Sequence, residues 1–239
     1  MAPIAGRAAK TAPAADPSRL RHRLDVGLAA MGPAIDGAVD AAAREGMVAF
    51  LLLLARWNRA YNLTAVRDPL EMVPRHLLDS LAVLPWVTGG QVLDLGTGAG
   101  LPGIPLALAR PDLGFTLLDS NGKKTRFVSQ AITELGLVNA KAVQARAETY
   151  RPARKFATIV ARAVTSLTAL HEACAHLAKD GGHLLALKGR IPRDEMDALT
   201  MTLHGAGPSP RIRVHPLQVP FVDGERNLID IPFDASAHG

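Results

Sequence analysis

The first third of the chain, from Ser18 to Leu84, has the pattern of helices. Its longest apolar run, Met47–Ala55, is too uniformly apolar for a surface helix, so we expect that helix to be buried. A second helix is expected from Pro69 to Leu84, because Asp68 can cap its first turn and proline is favoured at the first helical position. Residues 18–88 are therefore predicted to form a helical segment packed on the core.

After Gly89-Gly90 the pattern changes to short apolar strands that alternate with helices, which is typical of a mostly parallel sheet covered on both faces. The predicted strands are Gln91–Leu95, Gly114–Asp119, Lys141–Ala145, Ala157–Ala161 and His183–Lys188, and the predicted helices are Leu101–Arg110, Lys123–Leu135 and Leu167–Ala178. Two last strand-like runs, Arg211–Val219 and Asn227–Pro232, are expected to pair as an antiparallel hairpin. The predicted fold is thus α/β, a Rossmann-like sheet over residues 89–239 with a helical N-terminal extension.

The segment ahead of the helices, residues 1–17, is rich in alanine and proline and lacks the apolar core of a secretory signal. We expect a mobile tail there, because small residues and prolines bury too little apolar surface to become ordered.

Met47–Ala55 is far shorter than the ~20 residues that cross a bilayer, so no membrane contact is expected. With Cys174 as its only thiol, the chain has no internal disulfide and no cysteine–histidine cluster for zinc. A metal-free monomer in the reducing cytoplasm is predicted.

The most informative segment is Val92–Gly103, which leaves a predicted strand, passes through Gly96, Gly98 and Gly100, and enters a predicted helix. Glycines allow backbone angles that other residues avoid and let a ligand approach the main chain closely. The dinucleotide pattern G-x-G-x-x-G would need a third glycine where Leu101 stands. The spacing therefore disfavours a nicotinamide dehydrogenase.

Two carboxylates favour S-adenosylmethionine as the ligand of this loop. Asp94 precedes the first glycine by two residues, where it would repel a pyrophosphate but attract the ammonium group of S-adenosylmethionine. Asp119 ends the second strand, the position from which an acid can accept hydrogen bonds from ribose hydroxyls. Near the end of the third strand, Ala147-Glu148 is placed to contact the adenine edge. Cofactor binding is accordingly predicted for Asp94, Gly96, Thr97, Gly98, Gly100, Asp119, Ala147 and Glu148.

At these residues the sequence closely resembles the RsmG (GidB) family of 16S ribosomal RNA guanine-N7 methyltransferases, from about Val48 to Ile231. The matching segments are Trp57–Thr64, Arg75–Ser80, Asp94–Pro105, Leu117–Ser120, Arg162-Ala163, Leu187–Gly189, Val219-Pro220 and Asp223–Arg226. The resemblance implies a class I methyltransferase sheet and methylation of a guanine in the decoding-region loop of the small ribosomal subunit. It also implies that Gly96, Leu101, Ala147, Glu148 and Arg162 contact the cofactor.

Methylation at guanine N7 needs no general base, because that nitrogen carries a lone pair and no proton. Alignment of the reacting atoms should then supply much of the acceleration. We therefore predict no acid–base pair, with Arg162 and Lys188 as positioning candidates.

The net charge of +5 favours a polyanionic partner such as 16S RNA, in the small subunit or an assembly intermediate. The candidates for RNA contact are Arg67, Arg75, His76, Lys123, Lys124, Arg126, Lys188, Arg190 and Arg226.

Three other functions stay open at this point. Ribose 2′-O methylation is the nearest chemical alternative, because Lys188 could help to deprotonate a hydroxyl. A small-molecule methyltransferase would use the same cofactor loop. A non-catalytic RNA-binding assembly factor would retain the fold without the reaction. Cys174 lies in an apolar helix and is expected to be buried, which disfavours the cysteine-dependent methylation of pyrimidine C5.

Overall fold

The computed structural model describes residues 16–162, 165–204 and 212–233. Residues 1–15 of the expected tail lie outside this part of the chain, and Pro17 begins the first helix instead of ending the tail. The first three helices are α1 (Pro17–Met31), α2 (Pro33–Asp36) and α3 (Ala41–Tyr61). Aspartate side chains cap the first turns of α1 and α3. The carboxylate of Asp16 accepts the Ser18 N–H at 2.9 Å, and that of Asp40 accepts the Ala43 N–H at 2.7 Å.

The helix predicted from Pro69 to Leu84 begins where expected, since the Asp68 carboxylate accepts the Leu70 N–H at 2.9 Å. The prediction of one regular helix is wrong. The segment passes through α4 (Pro69–Met72), a π-helical stretch (Val73–Leu78) and α5 (Asp79–Leu81), and a 3₁₀ turn follows at Leu84–Trp86. Pro74 lies in the π-helical stretch and has no N–H to donate, so regular helical bonding is interrupted there.

Within the described residues seven strands form one sheet, in the order β3-β2-β1-β4-β5-β7-β6. Neighbouring strands run parallel except for β7, which is antiparallel to both β5 and β6. Their bounds are β1 (Gln91–Leu95), β2 (Gly114–Asp119), β3 (Ala140–Gln144), β4 (Phe156–Arg162), β5 (Ala178–Lys188), β6 (Arg213–Pro216) and β7 (Asn227–Pro232). The predicted α/β class, the parallel strand pattern and the terminal antiparallel pair are confirmed.

The helices that connect the strands are α6 (Gly103–Ala109), α7 (Gly122–Glu134), α8 (Leu167–Cys174) and α9 (Arg193–His204), and a 3₁₀ turn at Ala175–Leu177 follows α8. The helix α9 was not among the elements predicted from the sequence. Its signals are the preceding Pro192 and the acidic residues Asp194 and Glu195 in its first turn, where the helix dipole favours negative charge.

One hydrophobic cluster joins the N-terminal helices to the sheet, with Leu20 and Phe50 on one side and Val92 and Phe127 on the other. The ring of Trp57 on α3 lies 5.6 Å from that of Phe127 on α7. The division at residues 18–88 and 89–239 stays a prediction, because this continuous core does not mark a boundary. No helix in the described part of the chain has the length and apolar content to cross a membrane.

Cys174 lies at the end of α8 and is buried, as expected. Burial raises the pKa of its thiol to about 12, so the thiol stays protonated at neutral pH. Cys174 is therefore a packed residue and not a nucleophile.

Candidate functional site

The site predicted from the sequence lies at the carboxyl ends of β1 and β4. These strands are neighbours in the sheet, with Leu95 opposite Ala161, and the chain leaves β1 for β2 on the other side. In open α/β sheets a ligand crevice forms outside the carboxyl ends of the strands, where the strand order reverses in this way. The glycine loop follows β1 at this point.

The loop after β1 requires its glycines. Gly96, Gly98 and Gly100 have φ values of 69°, 59° and 81°, in the left-handed region that side chains disfavour. A Cβ atom on Gly100 would also lie 2.4 Å from Cδ1 of Ile104 on α6. The N–H groups of Gly96 and Thr97 both donate to the carbonyl of Leu118, at 2.8 and 3.0 Å, which ties the loop to β2.

Asp94 is completely buried beneath this loop and holds its shape. Its Oδ2 accepts the Thr97 hydroxyl at 2.6 Å and the Gly103 N–H at 2.7 Å. A Cβ on Gly103 would lie 2.6 Å from the same oxygen, so glycine is required at that helix start. Burial raises the pKa of Asp94 to about 6, while the Thr97 hydroxyl, the Gly103 amide and the charge of Arg162 all act to lower it.

The other carboxylate oxygen of Asp94, Oδ1, is buried and has no hydrogen-bond partner among the residues that the structure describes. An acceptor in this state is costly unless a donor reaches it, and an ammonium group is the strongest such donor. The unpartnered acceptor oxygen of Asp94 thus fits the ammonium group of the expected cofactor. Direct contact between Asp94 and the cofactor stays a prediction.

Asp119 at the end of β2 also fixes the loop. Its Oδ2 accepts the Gly98 N–H at 2.9 Å and its Oδ1 accepts the Asn121 N–H at 2.8 Å. Each carboxylate oxygen can accept more than one hydrogen bond, so both retain capacity for ribose hydroxyls. The predicted ribose contact is compatible with this geometry.

A cleft of about 210 Å³ opens beside the loop, and its walls include Gly96, Asp119, Ala147, Glu148 and Thr165. The first four of these were predicted to bind cofactor, and the fold brings them together from three strand ends. Leu101 differs from them. Its side chain is 3% exposed and packs in the hydrophobic core, which leaves little side-chain surface for the cofactor contact that the resemblance implied.

Arg162 ends β4 beside the loop, and its partner is a residue that the sequence analysis left without a role. The guanidinium donates to Asp79 Oδ2 at 3.1 Å and to the carbonyl of Arg75 at 3.2 Å. Arg226 donates from Nε to the other oxygen of Asp79 at 3.3 Å. Asp79 is 8% exposed and could have been noticed as an acid in the apolar run Leu77–Leu81.

The RNA contact of His76 stays a prediction, but its side chain faces inward and has little exposed surface. His76 is 5% exposed, and its Nε2 lies 2.9 Å from the Thr64 hydroxyl. Burial and the nearby charge of Arg162 lower the pKa of His76 to about 4, so the imidazole is neutral at pH 7. A neutral, buried ring has no charge to offer a phosphate.

Lys188 ends β5, and its ammonium already has two partners. Nζ donates to the carbonyl of Thr165 at 3.1 Å and to Glu195 Oε2 at 3.0 Å. The same oxygen of Glu195 accepts the Leu167 N–H at 2.9 Å. Lys188 therefore braces the start of α8 beside the cleft. Its predicted roles in positioning and RNA contact stay predictions.

The remaining RNA candidates lie at the surface. Exposed side chains belong to Arg67, Arg75, Lys123, Arg126 and Arg190, whereas Lys124 and Arg226 are half-buried. Lys123 and Arg126 line an open groove of about 710 Å³ at the start of α7. Their RNA contacts stay predictions.

Comparison with known proteins identifies relatives along most of the chain. The family model described as rRNA small subunit methyltransferase G, GidB, matches residues 43–213. A protein of Alkalilimnicola ehrlichii named "Ribosomal RNA small subunit methyltransferase G" is 52% identical over 78% of this chain and 82% of its own length. A protein of the same name from Stenotrophomonas maltophilia is 47% identical over 90% of this chain and 96% of its own.

Solved structures share the fold at low sequence identity. A structure titled as a SAM dependent methyltransferase from Aquifex aeolicus is 19% identical, with a TM-score of 0.53, and the match covers 72% of this chain and 97% of that one. A mutein of the branched-chain polyamine synthase from Thermus thermophilus is 16% identical, with a TM-score of 0.57, over 88% of this chain and 70% of that one. These likenesses extend to the fold alone.

Proposed function

Because the chain belongs to the rRNA small subunit methyltransferase G family, we propose that it transfers a methyl group from S-adenosylmethionine to N7 of a guanine in 16S ribosomal RNA. The family resemblance described from the sequence is confirmed by these matches. One observation carries the proposal: the glycine loop, the cleft beside it and Arg162 lie together at the carboxyl edge of the sheet.

The residues of the loop and cleft are suited to hold the cofactor. Bound S-adenosylmethionine supplies an electrophilic methyl group on a sulfonium cation. Asp94 and Asp119 place negative charge near that cation, and the glycine loop gives a side-chain-free surface for close approach. Ala147 and Glu148 form the far wall of the cleft, where their position after the third strand was predicted to contact the adenine edge.

The surroundings of Lys188 and His76 favour guanine N7 over the ribose hydroxyl as the atom that receives the methyl group. A 2′-hydroxyl loses a proton on methylation, whereas guanine N7 has none to lose. The ammonium of Lys188 is engaged by Glu195, and the neutral His76 is buried against Thr64. Lys188, the base that the ribose alternative requires, is thus occupied by an ion pair, and His76 has little exposed surface. What remains for the protein is to orient the two reactants.

The proposed substrate is the 16S RNA within the small subunit or an assembly intermediate. The formal net charge of +5 and the exposed basic side chains near the sheet edge attract a polyanion. We further propose that the protein acts as a monomer in the cytoplasm, where its single cysteine stays reduced.

The test uses methyl-labelled S-adenosylmethionine and small subunits from cells that lack the protein. We expect label in 16S RNA and strand cleavage at the labelled nucleotide after borohydride and aniline treatment, which act at N7-methylguanosine. Label without cleavage would show that N7 is the wrong atom and would favour the ribose. Label in a metabolite extract but not in RNA would replace the proposal with a small-molecule activity. Cofactor binding without any transfer would favour an assembly factor.

A further inference from the structure

A set of arginines continues from the cofactor edge across the N-terminal helices to the segment before β7. We call it the arginine face; it consists of Arg23, Arg75, Arg162 and Arg226, the acids Glu71 and Asp79, and Phe221. Asp79 binds Arg162 and Arg226, at 3.1 and 3.3 Å. Four arginines against two carboxylates leave this face with a formal charge of +2.

The second acid, Glu71 on α4, joins the outer arginines of the face. Its carboxylate lies 3.6 Å from Arg23 of α1 and 3.6 Å from Arg75. The carbonyl of Arg75 in turn accepts a hydrogen bond from Arg162, so the contacts run without a break from α1 to the end of β4. Because β4 is the neighbour of β1 in the sheet, the face reaches the strand edge that carries the candidate cofactor site.

Phe221 interrupts this polar surface in an unusual backbone conformation. The Val222 N–H donates to the Val219 carbonyl at 3.3 Å across a turn that has Pro220 second and Phe221 third. Phe221 has a φ of 65°, at a turn position that favours glycine or asparagine. A bulky residue there is strained, and such strain concentrates at ligand sites. The turn nevertheless leaves the Phe221 ring 48% exposed.

The ring of Phe221 already stacks with one cation of the face. The guanidinium carbon of Arg23 lies 4.7 Å from the ring centroid, which orients the ring and adds a cation–π contact. An exposed aromatic ring beside arginines is the combination that holds single-stranded RNA, because bases stack on the ring while the cations contact phosphates.

We propose that the arginine face binds the RNA strand that flanks the target guanine, with a neighbouring nucleobase stacked on Phe221 and the phosphates held by the arginines. The proposal rests on the proposed function, because it supplies the RNA site for the same methyl transfer. RNA fits the face better than an acidic peptide does. The carboxylates of a peptide would pair with the arginines but would not stack on the exposed Phe221 ring, whereas RNA supplies both phosphates and nucleobases.

The substitution Phe221→Gly tests the proposal without weakening the turn, because glycine tolerates the positive φ and only the ring is lost. We expect the Kd for a labelled 16S RNA fragment and the KM for small subunits to rise about tenfold, with the affinity for S-adenosylmethionine unchanged. Phe221→Trp should restore RNA binding. The matched control is Val138→Gly, which removes a fully exposed apolar side chain ahead of β3, at the opposite edge of the sheet.

The outcomes separate this inference from the proposed function. If the wild-type protein methylates subunits and Phe221→Gly leaves KM and Kd unchanged, the RNA face is wrong while the methyltransferase assignment stands. If the wild-type protein methylates no RNA, the proposed function fails, and the binding assay still decides whether Phe221 contacts RNA. Loss of affinity for an acidic peptide but not for RNA would overturn the proposal in favour of a protein partner.

Discussion

Two aspartates near the site, Asp94 and Asp79, each accept hydrogen bonds from two donors, but the donors come from different distances along the chain. Asp94 binds Thr97 and Gly103, which lie three and nine residues away. Asp79 binds Arg162 and Arg226, which lie 83 and 147 residues away. Asp94 is completely buried, whereas Asp79 lies where the N-terminal helices, β4 and the segment before β7 meet the surface.

This difference separates two kinds of structural element. The bonds to the Asp94 carboxylate are short-range, and the further bonds that hold the loop come from Leu118 and Asp119 on the neighbouring strand β2. The arrangement around Asp79 exists only when three distant segments have packed together. We therefore expect changes at Asp94 to lower cofactor affinity first, and changes at Asp79 to lower turnover.

The largest effect is expected for Asp94→Ala. Removal of the carboxylate leaves the Thr97 hydroxyl and the Gly103 N–H without their acceptor and removes the charge that is predicted to attract the cofactor. A charge-assisted hydrogen bond contributes about 1.5–3 kcal/mol, so affinity for S-adenosylmethionine should fall roughly 10- to 150-fold. Isothermal titration calorimetry measures this change.

Asp112→Ala is the control for Asp94→Ala. Asp112 is an exposed aspartate that pairs with Arg110, away from the cleft, and its loss should leave cofactor affinity unchanged. An Asp94→Ala protein that binds the cofactor as tightly as the wild type would show that Asp94 serves the loop alone.

A pH-dependent effect of intermediate size is expected from His76, which is buried beneath the arginine face. Its pKa of about 4 lies below the ordinary value near 6.5, so the unfolded chain takes up a proton more readily than the folded protein as the pH falls. The stability present above pH 6.5 is therefore lost progressively as the pH falls towards 4. Between pH 7 and pH 5 this loss amounts to about 2 kcal/mol.

His76→Gln removes that dependence, and urea unfolding at pH 7 and pH 5 measures it. The wild-type protein should lose about 2 kcal/mol more than the variant between the two pH values. The raised pKa of Asp94 acts in the opposite direction, but it is common to both proteins and cancels in the comparison. Equal losses of stability in the two proteins would show that the pKa of His76 is not lowered in the folded protein.

The smallest effect is the loss of turnover expected for Asp79→Asn. This variant tests most directly whether Asp79 has a different role from Asp94. The variant keeps the shape of the side chain and weakens both contacts to arginine, so turnover should fall by roughly tenfold if those contacts orient Arg162 and Arg226. RNA affinity at low salt should not weaken, because the arginine face gains a net positive charge. Single-turnover rates and RNA binding curves separate the two effects.

Asp25→Asn is the matched control for Asp79→Asn, because Asp25 is also shared by two arginines, Arg21 and Arg44, at the N-terminal helices. Both variants should lose some stability, but only Asp79→Asn should lose turnover. Equal kinetics in the two variants would reduce Asp79 to a structural ion pair.

Much of the geometry of the candidate cofactor site could be predicted because its signals are local. The strand ending at Leu95, the three glycines and the acid at Asp119 lie within 30 residues, and each carries its own backbone or charge requirement. The inward orientation of His76 could not be predicted. His76 lies within the π-helical stretch Val73–Leu78, whose side-chain positions differ from those of the regular helix that the pattern indicates.

The sequence by itself determined the alternation of strands and helices, the shape of the loop after β1 and the family of the protein. These depend on periodicity, on glycine at positive φ and on motifs that are continuous along the chain. Only the tertiary structure decided that Asp79 joins two distant arginines, that His76 is neutral and buried, and that Phe221 is exposed beside Arg23. Contacts between segments far apart in the chain form only when the whole core packs, and the local pattern of each segment carries no record of its partner.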